Sequence, residues 1–259
     1  MSQGAEKNGI SSETVDLAVE GSSRMAAYVA RPNASGRHPG LMVFQEAYGV
    51  NHHIRDVTER FAAQGYVAIA PELFHRTAPK GFAGDYNNFP SVKPHYLAVT
   101  SEAAEADIRS TYEWLHSSSL VQADRISCVG FCMGGRTTLL YACSSNRLSA
   151  AIDCWGGGIT ADAAPVTAQR PTPIIDLVPR LSCPLYVVCG EEDGNPSPAQ
   201  VEVLRQRLQQ AGKTFTIDMF KNAGHAFFAD YRPSYREKAA FELWPKTAAF
   251  FDTHLKGKK

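Results

Sequence analysis

Of the six cysteines in this sequence, Cys132 stands where the chain could turn a thiol into a nucleophile. It lies in Arg125-Ile126-Ser127-Cys128-Val129-Gly130-Phe131-Cys132-Met133-Gly134-Gly135-Arg136. The first half is an apolar, strand-like run and the second opens a helix. Between them, Gly130-Phe131-Cys132-Met133-Gly134 has the Gly-x-nucleophile-x-Gly form of a strained strand-to-helix turn, with Cys where Ser is usual. Small residues two before and two after the nucleophile let strand and helix approach each other. The turn presents the side chain at the end of the strand, and the next N–H, from Met133, can face a developing oxyanion. Other glycine-loop chemistry does not fit: the Gly-x-Gly-x-x-Gly spacing is absent, and no Gly-Lys-Ser/Thr follows. The competing reading is an inert core thiol, the ordinary fate of a buried cysteine.

A thiol nucleophile needs a base, because free Cys, with a pKa of about 8.5, is only a few per cent thiolate at neutral pH. His225, in Asn222-Ala223-Gly224-His225-Ala226-Phe227-Phe228, is the leading candidate. Gly224 is expected to let its loop come close to the nucleophile turn. Asp193, in Gly190-Glu191-Glu192-Asp193-Gly194, can accept a hydrogen bond from one ring nitrogen and so aim the other at Cys132. Glu191 and Glu192 are alternatives to Asp193 but stand closer to the preceding strand. His52 and His53 lie near a helix start and read as surface or rim residues. His75, His95 and His116 lie away from strand ends.

These side chains must be positioned by elements, and the apolar patterning predicts them. Residues 1–13 read as a flexible tail. Residues 14–19 and 25–30 alternate as a hairpin around Glu20-Gly21-Ser22-Ser23. Strands are expected at 40–44, 66–71, 125–131, 148–155, 184–190 and 215–220. Helices are expected at 54–64 (ended by Gly65), 101–118, 135–143, 198–211 and 237–255. Residues 75–95 and 160–182 read as long loops. Short apolar strands alternating with amphipathic helices predict an α/β fold with a mostly parallel central sheet covered by helices on both faces. Cys132, Asp193 and His225 each follow a strand, in the chain order nucleophile, acid, histidine that belongs to the α/β-hydrolase fold. A minimal cap is expected, with one domain over 14–259.

A length of 259 residues suits one such domain, since α/β domains often run to roughly 200–250 residues. Lys+Arg and Asp+Glu are both 26, so nothing calls for nucleic acid or an anionic membrane. No apolar run approaches the roughly 20 residues that span a bilayer, and the first residues have no signal-peptide core. No Cys-x-x-Cys pair occurs. We therefore expect no metal and no cofactor, reduced thiols, a cytoplasmic location, and a monomer or small homo-oligomer acting on a small molecule.

The chain resembles the dienelactone hydrolase (carboxymethylenebutenolidase) family over nearly all its length after the tail. The resemblance rests on Gln45-Glu46-Ala47-Tyr48-Gly49-Val50-Asn51, Ala70-Pro71-Glu72-Leu73-Phe74-His75-Arg76, Gly130–Gly135, Gly190–Asp193 and Gly224–Phe228. It implies hydrolysis of activated lactones such as carboxymethylenebutenolides, in the breakdown of aromatic compounds. It also implies that Glu46 bonds the resting thiol and helps activate it, and that the Ala47 N–H joins the Met133 N–H as an oxyanion hole. Arg76 matches the first of two arginines that bind the substrate carboxylate. The second position is Ala229 here, and Arg232, three residues on, is the candidate replacement or else a surface Arg bracing its loop. Phe82, Tyr86, Phe89 and Tyr96 either line the acyl pocket or pack the long loop. Two alternatives stand beside lactone hydrolysis: a carboxylesterase for neutral activated esters, and a non-catalytic binder on a hydrolase fold.

Overall fold

The alternating residues near the N-terminus form the centre of a hairpin longer than their pattern suggests. The computed structural model describes residues 5–7, 9–20, 23–162, 167–168 and 170–256. In it, β2 (Ile10–Val19) pairs antiparallel with β3 (Ser23–Pro32), and β1 (Ala5–Lys7) adds to β2. Strands thus occupy much of the 1–13 segment expected as a tail. Ladder hydrogen bonds come from the backbone, so polar residues such as Ser11 and Ser12 pair with Arg31 and Ala30 without any apolar signal. Part of the expected turn, residues 21–22, lies outside the described residues.

The chain forms two compact units, residues 1–127 and 128–259. In the first, β3 pairs antiparallel with β5 (Val67–Pro71), which runs parallel to β4 (His38–Phe44). Apart from His38, every residue of β4 and β5 is buried, as their unbroken apolar runs require. Helix α1 (His52–Ala63) packs on β3 and β5 through Ile54, Val57 and Phe61. The Asn51 side chain caps it by accepting the Ile54 N–H at 3.2 Å.

The expected loop 75–95 gives way to helix α2 (Phe89–Ala98). Asn88 caps it, and Pro90 stands in the first turn, where no N–H is needed. Only Val92 of α2 is buried, so it carries no apolar stripe to read. Helix α3 (Ser101–Ser117) packs on β2, β4 and β5, and it buries a carboxylate, Asp107, on its apolar face.

In the second unit, β6 (Val121–Phe131, from Cys128 on), β7 (Ala151–Cys154), β8 (Leu185–Gly190) and β9 (Phe215–Phe220) are parallel neighbours in that order. Helices α4 (Met133–Ser144), α5 (Ile174–Leu177) and α6 (Pro198–Gln210) lie in the connections, and α7 (Glu237–Phe251) follows β9. The expected loop 160–182 therefore contains α5 and a 3-10 turn, Val178–Arg180. Parallel pairing sets Phe131 beside Cys154, Cys154 beside Val188, and Gly190 beside Phe220. The loops leaving these strands accordingly start from one edge of the unit, where sites form in parallel sheets.

Candidate active site

Cys132 sits between β6 and α4 with φ 56° and ψ −114°. A non-glycine residue held at positive φ costs about 1–3 kcal/mol and persists only where its surroundings over-determine it. Here the Cys132 N–H donates to the Cys154 carbonyl at 3.0 Å, and the Cys132 carbonyl accepts the Arg136 N–H at 3.1 Å. A Cβ at Gly130 would lie 2.0 Å from the Gly134 carbonyl oxygen, and one at Gly135 2.4 Å from Asp153 Oδ1. No side chain fits there, which is why the motif needs its glycines. Cys132 is half-buried, whereas the other five cysteines are buried; all six are free thiols. Met133 opens α4, so its N–H has no intrahelical acceptor.

Asp193 and His225 leave β8 and β9, which are paired. His225 Nδ1 meets Asp193 Oδ2 at 2.9 Å. The other carboxylate oxygen, Oδ1, accepts the Asn195 N–H at 2.8 Å, and the Asn195 side chain in turn accepts the Gly158 N–H at 2.9 Å. Asp193 is thus buried with both oxygens occupied, while Glu191 and Glu192 are exposed. The close approach expected at Gly224 falls instead at Gly190. A Cβ on Gly190 would lie 2.1 Å from the Ala223 carbonyl oxygen, against 3.8 Å for the nearest atom to one on Gly224. His225 also hydrogen-bonds to Cys132. Burial pulls the imidazolium down, but the hydrogen bonds to Asp193 and Cys132 and the charges of both outweigh it, and its pKa is pushed up to about 10. The second unit therefore joins a half-buried thiol, an imidazole that holds its proton at neutral pH, and a buried carboxylate. A thiol, an imidazole and a carboxylate joined in this way are the groups that thiol nucleophilic catalysis requires.

The remaining candidates divide between the two units. In the first, Glu46 is buried and its Oε2 accepts the Tyr86 hydroxyl at 2.9 Å. Gln45 braces this segment by accepting the Leu73 N–H at 3.1 Å. Ala47 and Tyr48 cluster with Val92, and Phe82, Tyr86 and Tyr96 pack against them. The Tyr48 and Tyr86 rings meet edge-on at 4.7 Å. A Cβ at Gly49 would come within 2.5 Å of the Phe82 carbonyl oxygen, so the 79–88 loop lies directly on this segment.

Arg76 is bound end-on by Asp107, Nη1 to Oδ2 at 2.7 Å and Nη2 to Oδ1 at 2.8 Å. His75 Nε2 shares Asp107 Oδ1 at 3.1 Å. The sequence reading missed Asp107; the available signal was an acid among the apolar helix positions 104, 108, 112 and 115, where charge is rare unless paired. In the second unit, Arg232 is half-buried in the turn after His225. Its N–H donates to the Ala229 carbonyl and its own carbonyl accepts the Tyr235 N–H, both at 3.0 Å. Among the described residues, no group of three or more His, Cys, Asp or Glu side chains is placed to hold a metal ion, and no helix is long and apolar enough to cross a membrane.

The model of the dienelactone hydrolase family matches residues 25–255. A Salmonella typhimurium protein named "Putative carboxymethylenebutenolidase" is 37% identical over 229 residues, covering 88% of this chain and 82% of the relative. One of the same name from Synechocystis is 36% identical over 235 residues, covering 90% and 93%. The crystal structure of a "Putative Dienelactone Hydrolase" from Klebsiella pneumoniae superposes with a TM-score of 0.86 at 34% identity, over 94% of this chain and 99% of that one.

Proposed function

The chain belongs to the dienelactone hydrolase family, a hydrolase of α/β-hydrolase fold, and from that premise we propose that it opens activated lactones and esters through a Cys132–His225–Asp193 triad. The observation that carries this reading is the His225 imidazole, 2.9 Å from buried Asp193 and hydrogen-bonded to Cys132 at a positive-φ turn. The Cys132 thiolate, its proton held on His225, attacks the lactone carbonyl carbon. The tetrahedral oxyanion is held by the Met133 N–H and, by family resemblance, the Ala47 N–H, each such donor contributing about 2.7–4 kcal/mol in the transition state. Collapse breaks the ring C–O bond and expels an enolate, which takes the proton from His225 and leaves a thioester on Cys132. His225 then takes a proton from water, which attacks the thioester carbonyl and releases the acid and the thiolate.

The leaving group decides the substrate class. A thiolate is itself readily expelled, so an enolate departs in competition with it and an amine does not. Activated lactones and esters are therefore favoured over peptides. By the same resemblance, Glu46 bonds the resting thiol, and the Tyr86 hydroxyl on its Oε2 supports that role by fixing the carboxylate. Arg76, Arg232, Phe82 and Tyr86 are the proposed substrate contacts. Thiol catalysis with six free cysteines suits a reducing cytoplasm, and dienelactone turnover suits aromatic degradation.

One observation favours a second reading. Asp107 already engages Arg76 through both Nη atoms, and Ala229 stands where a second arginine would help hold a carboxylate. Both features weaken anion recognition and favour neutral esters. The test is steady-state hydrolysis of a carboxylate-bearing dienelactone beside its methyl ester, with Cys132→Ala as control. Preference for the free acid, lost in the variant, supports the dienelactone reading; preference for the ester supports the carboxylesterase. Turnover that survives in Cys132→Ala refutes both.

A further inference from the structure

The turn after β7 holds a carboxyl group that the chemistry above does not use. Asp153 is 1% exposed. Its Oδ1 accepts the Gly156 N–H at 2.9 Å, and its Oδ2 is buried with no hydrogen-bond partner among the described residues. Burying a carboxyl oxygen without a partner is costly. A small apolar residue would avoid that cost, unless the carboxyl is needed.

Its position says for what. Asp153 is the register partner of Gly130, two residues before the nucleophile, in parallel strands that set both residues on the same face. A Cβ at Gly135 would lie 2.4 Å from Asp153 Oδ1, and one at Gly156 would lie 2.3 Å from it and 2.4 Å from the Arg136 N. The carboxyl is therefore wedged between the first turn of α4 and the turn it caps. That second turn carries the Cys154 carbonyl that accepts the Cys132 N–H. It also carries Trp155, at φ 44°, whose N–H donates to the Val188 carbonyl at 2.7 Å. Whatever holds residues 153–156 thereby holds the backbone of Cys132.

The charged and titratable groups that interact electrostatically with Asp153 are Arg136 from α4, Cys128 from β6, Cys154 from its own strand and Cys189 from β8. Burial raises those three thiols well above their ordinary range, so they stay neutral. Arg136 also donates to the Gly158 carbonyl. Burial raises the Asp153 carboxyl, the Gly156 N–H and the Arg136 charge pull it back, and it comes to rest at about 7. Its charge therefore changes within the range where a Cys–His pair works.

We propose that Asp153 is a positioning residue for Cys132: its carboxyl braces the 153–156 turn behind the nucleophile, and its ionisation sets a negative charge there that lowers the reactivity of Cys132. This inference rests on Cys132 being the reactive thiol. It is tested without reference to any substrate, by following iodoacetamide alkylation of Cys132 with peptide mass spectrometry from about pH 5.5 to 8.5. Asp153→Asn keeps a carbonyl acceptor for the Gly156 N–H and cannot ionise. It is expected to match the wild type within about twofold at the acid end and to react about three- to tenfold faster at the alkaline end, the effect of a nearby like charge. The wild-type profile has an inflection near the Asp153 pKa that the variant lacks. Asp153→Ala, which removes the acceptor, is expected to be slower than Asp153→Asn throughout. Superimposed wild-type and Asp153→Asn profiles would overturn the proposal, and Asp153→Asn alone carries the test if Asp153→Ala does not fold. Hydrolysis surviving in Cys132→Ala would overturn the choice of nucleophile, and this inference with it. Loss of hydrolysis in Cys132→Ala together with superimposed profiles would overturn only the role of Asp153.

Discussion

His225 gathers the chemistry of the second unit, because both of its neighbours favour its protonated form. Its folded pKa, about 10, lies above the ordinary 6.5. The resulting stabilisation is complete below about 6.5 and is lost as the pH rises through about 10. Urea unfolding of wild type and His225→Gln should therefore differ most below about pH 6.5 and converge as the pH rises through about 10. With Cys132→Ala the trend should be shallower, because one of the groups that raises the histidine is gone. Asp193→Asn leaves His225 without its carboxylate and in the wrong tautomer. We expect kcat to fall by about two to four decades with little change in KM, by analogy with the serine-protease case. Equal kinetics in the variant would refute the triad. Arg76→Ala leaves the fully buried Asp107 carboxylate with His75 as its remaining side-chain partner among the described residues. It should cost stability towards the lower end of the roughly 3–5 kcal/mol typical of breaking a buried pair, read from the urea midpoint. Arg76 is therefore a structural as well as a candidate recognition residue, and a loss of activity in its alanine variant has to be separated from a loss of fold.

Two elements respond differently to single substitutions. In the β6–α4 turn, a Cβ at Gly130 meets backbone at 2.0 Å, and backbone cannot swing aside. Gly130→Ala should destabilise by about 4 kcal/mol or more and abolish hydrolysis together with stability. In α6, Ser197 and Gln200 form a reciprocal capping box, the Gln200 N–H to Ser197 Oγ at 3.3 Å and the Ser197 N–H to Gln200 Oε1 at 2.9 Å. Ser197→Ala should cost about 1 kcal/mol and leave turnover unchanged. Legibility differed in the same way. The turn could be read because its glycines are neighbours in sequence, and α6 because Ser197, Pro198 and Gln200 announce its start. Helix α2 could not be read, since it buries only Val92 and contains Pro94. Nor could the extra length of the N-terminal hairpin, which is held by backbone pairing of polar residues.

For the molecule as a whole, the burial of its thiols makes a direct prediction. Five of six cysteines are buried and Cys132 is half-buried. A chromogenic disulfide reagent should titrate one thiol rapidly in the native protein and six in denaturant. More than one fast native thiol, or a fast thiol that persists in Cys132→Ala, would contradict the described packing.

The sequence alone determined the α/β class, the strand-to-helix turn at Cys132 and the chain order of Cys132, Asp193 and His225. Each is a local pattern of small, apolar or chemically reactive residues at the end of a strand. What only the tertiary structure decided is who touches whom. The His225–Asp193 bond spans 32 positions and the Arg76–Asp107 pair 31. The close approach fell at Gly190 rather than Gly224, and Asp153 came to lie behind Cys132, because strand register chooses neighbours far apart in the chain. Local spacing says what a side chain is able to do. Packing sets its partner, its burial and hence its charge.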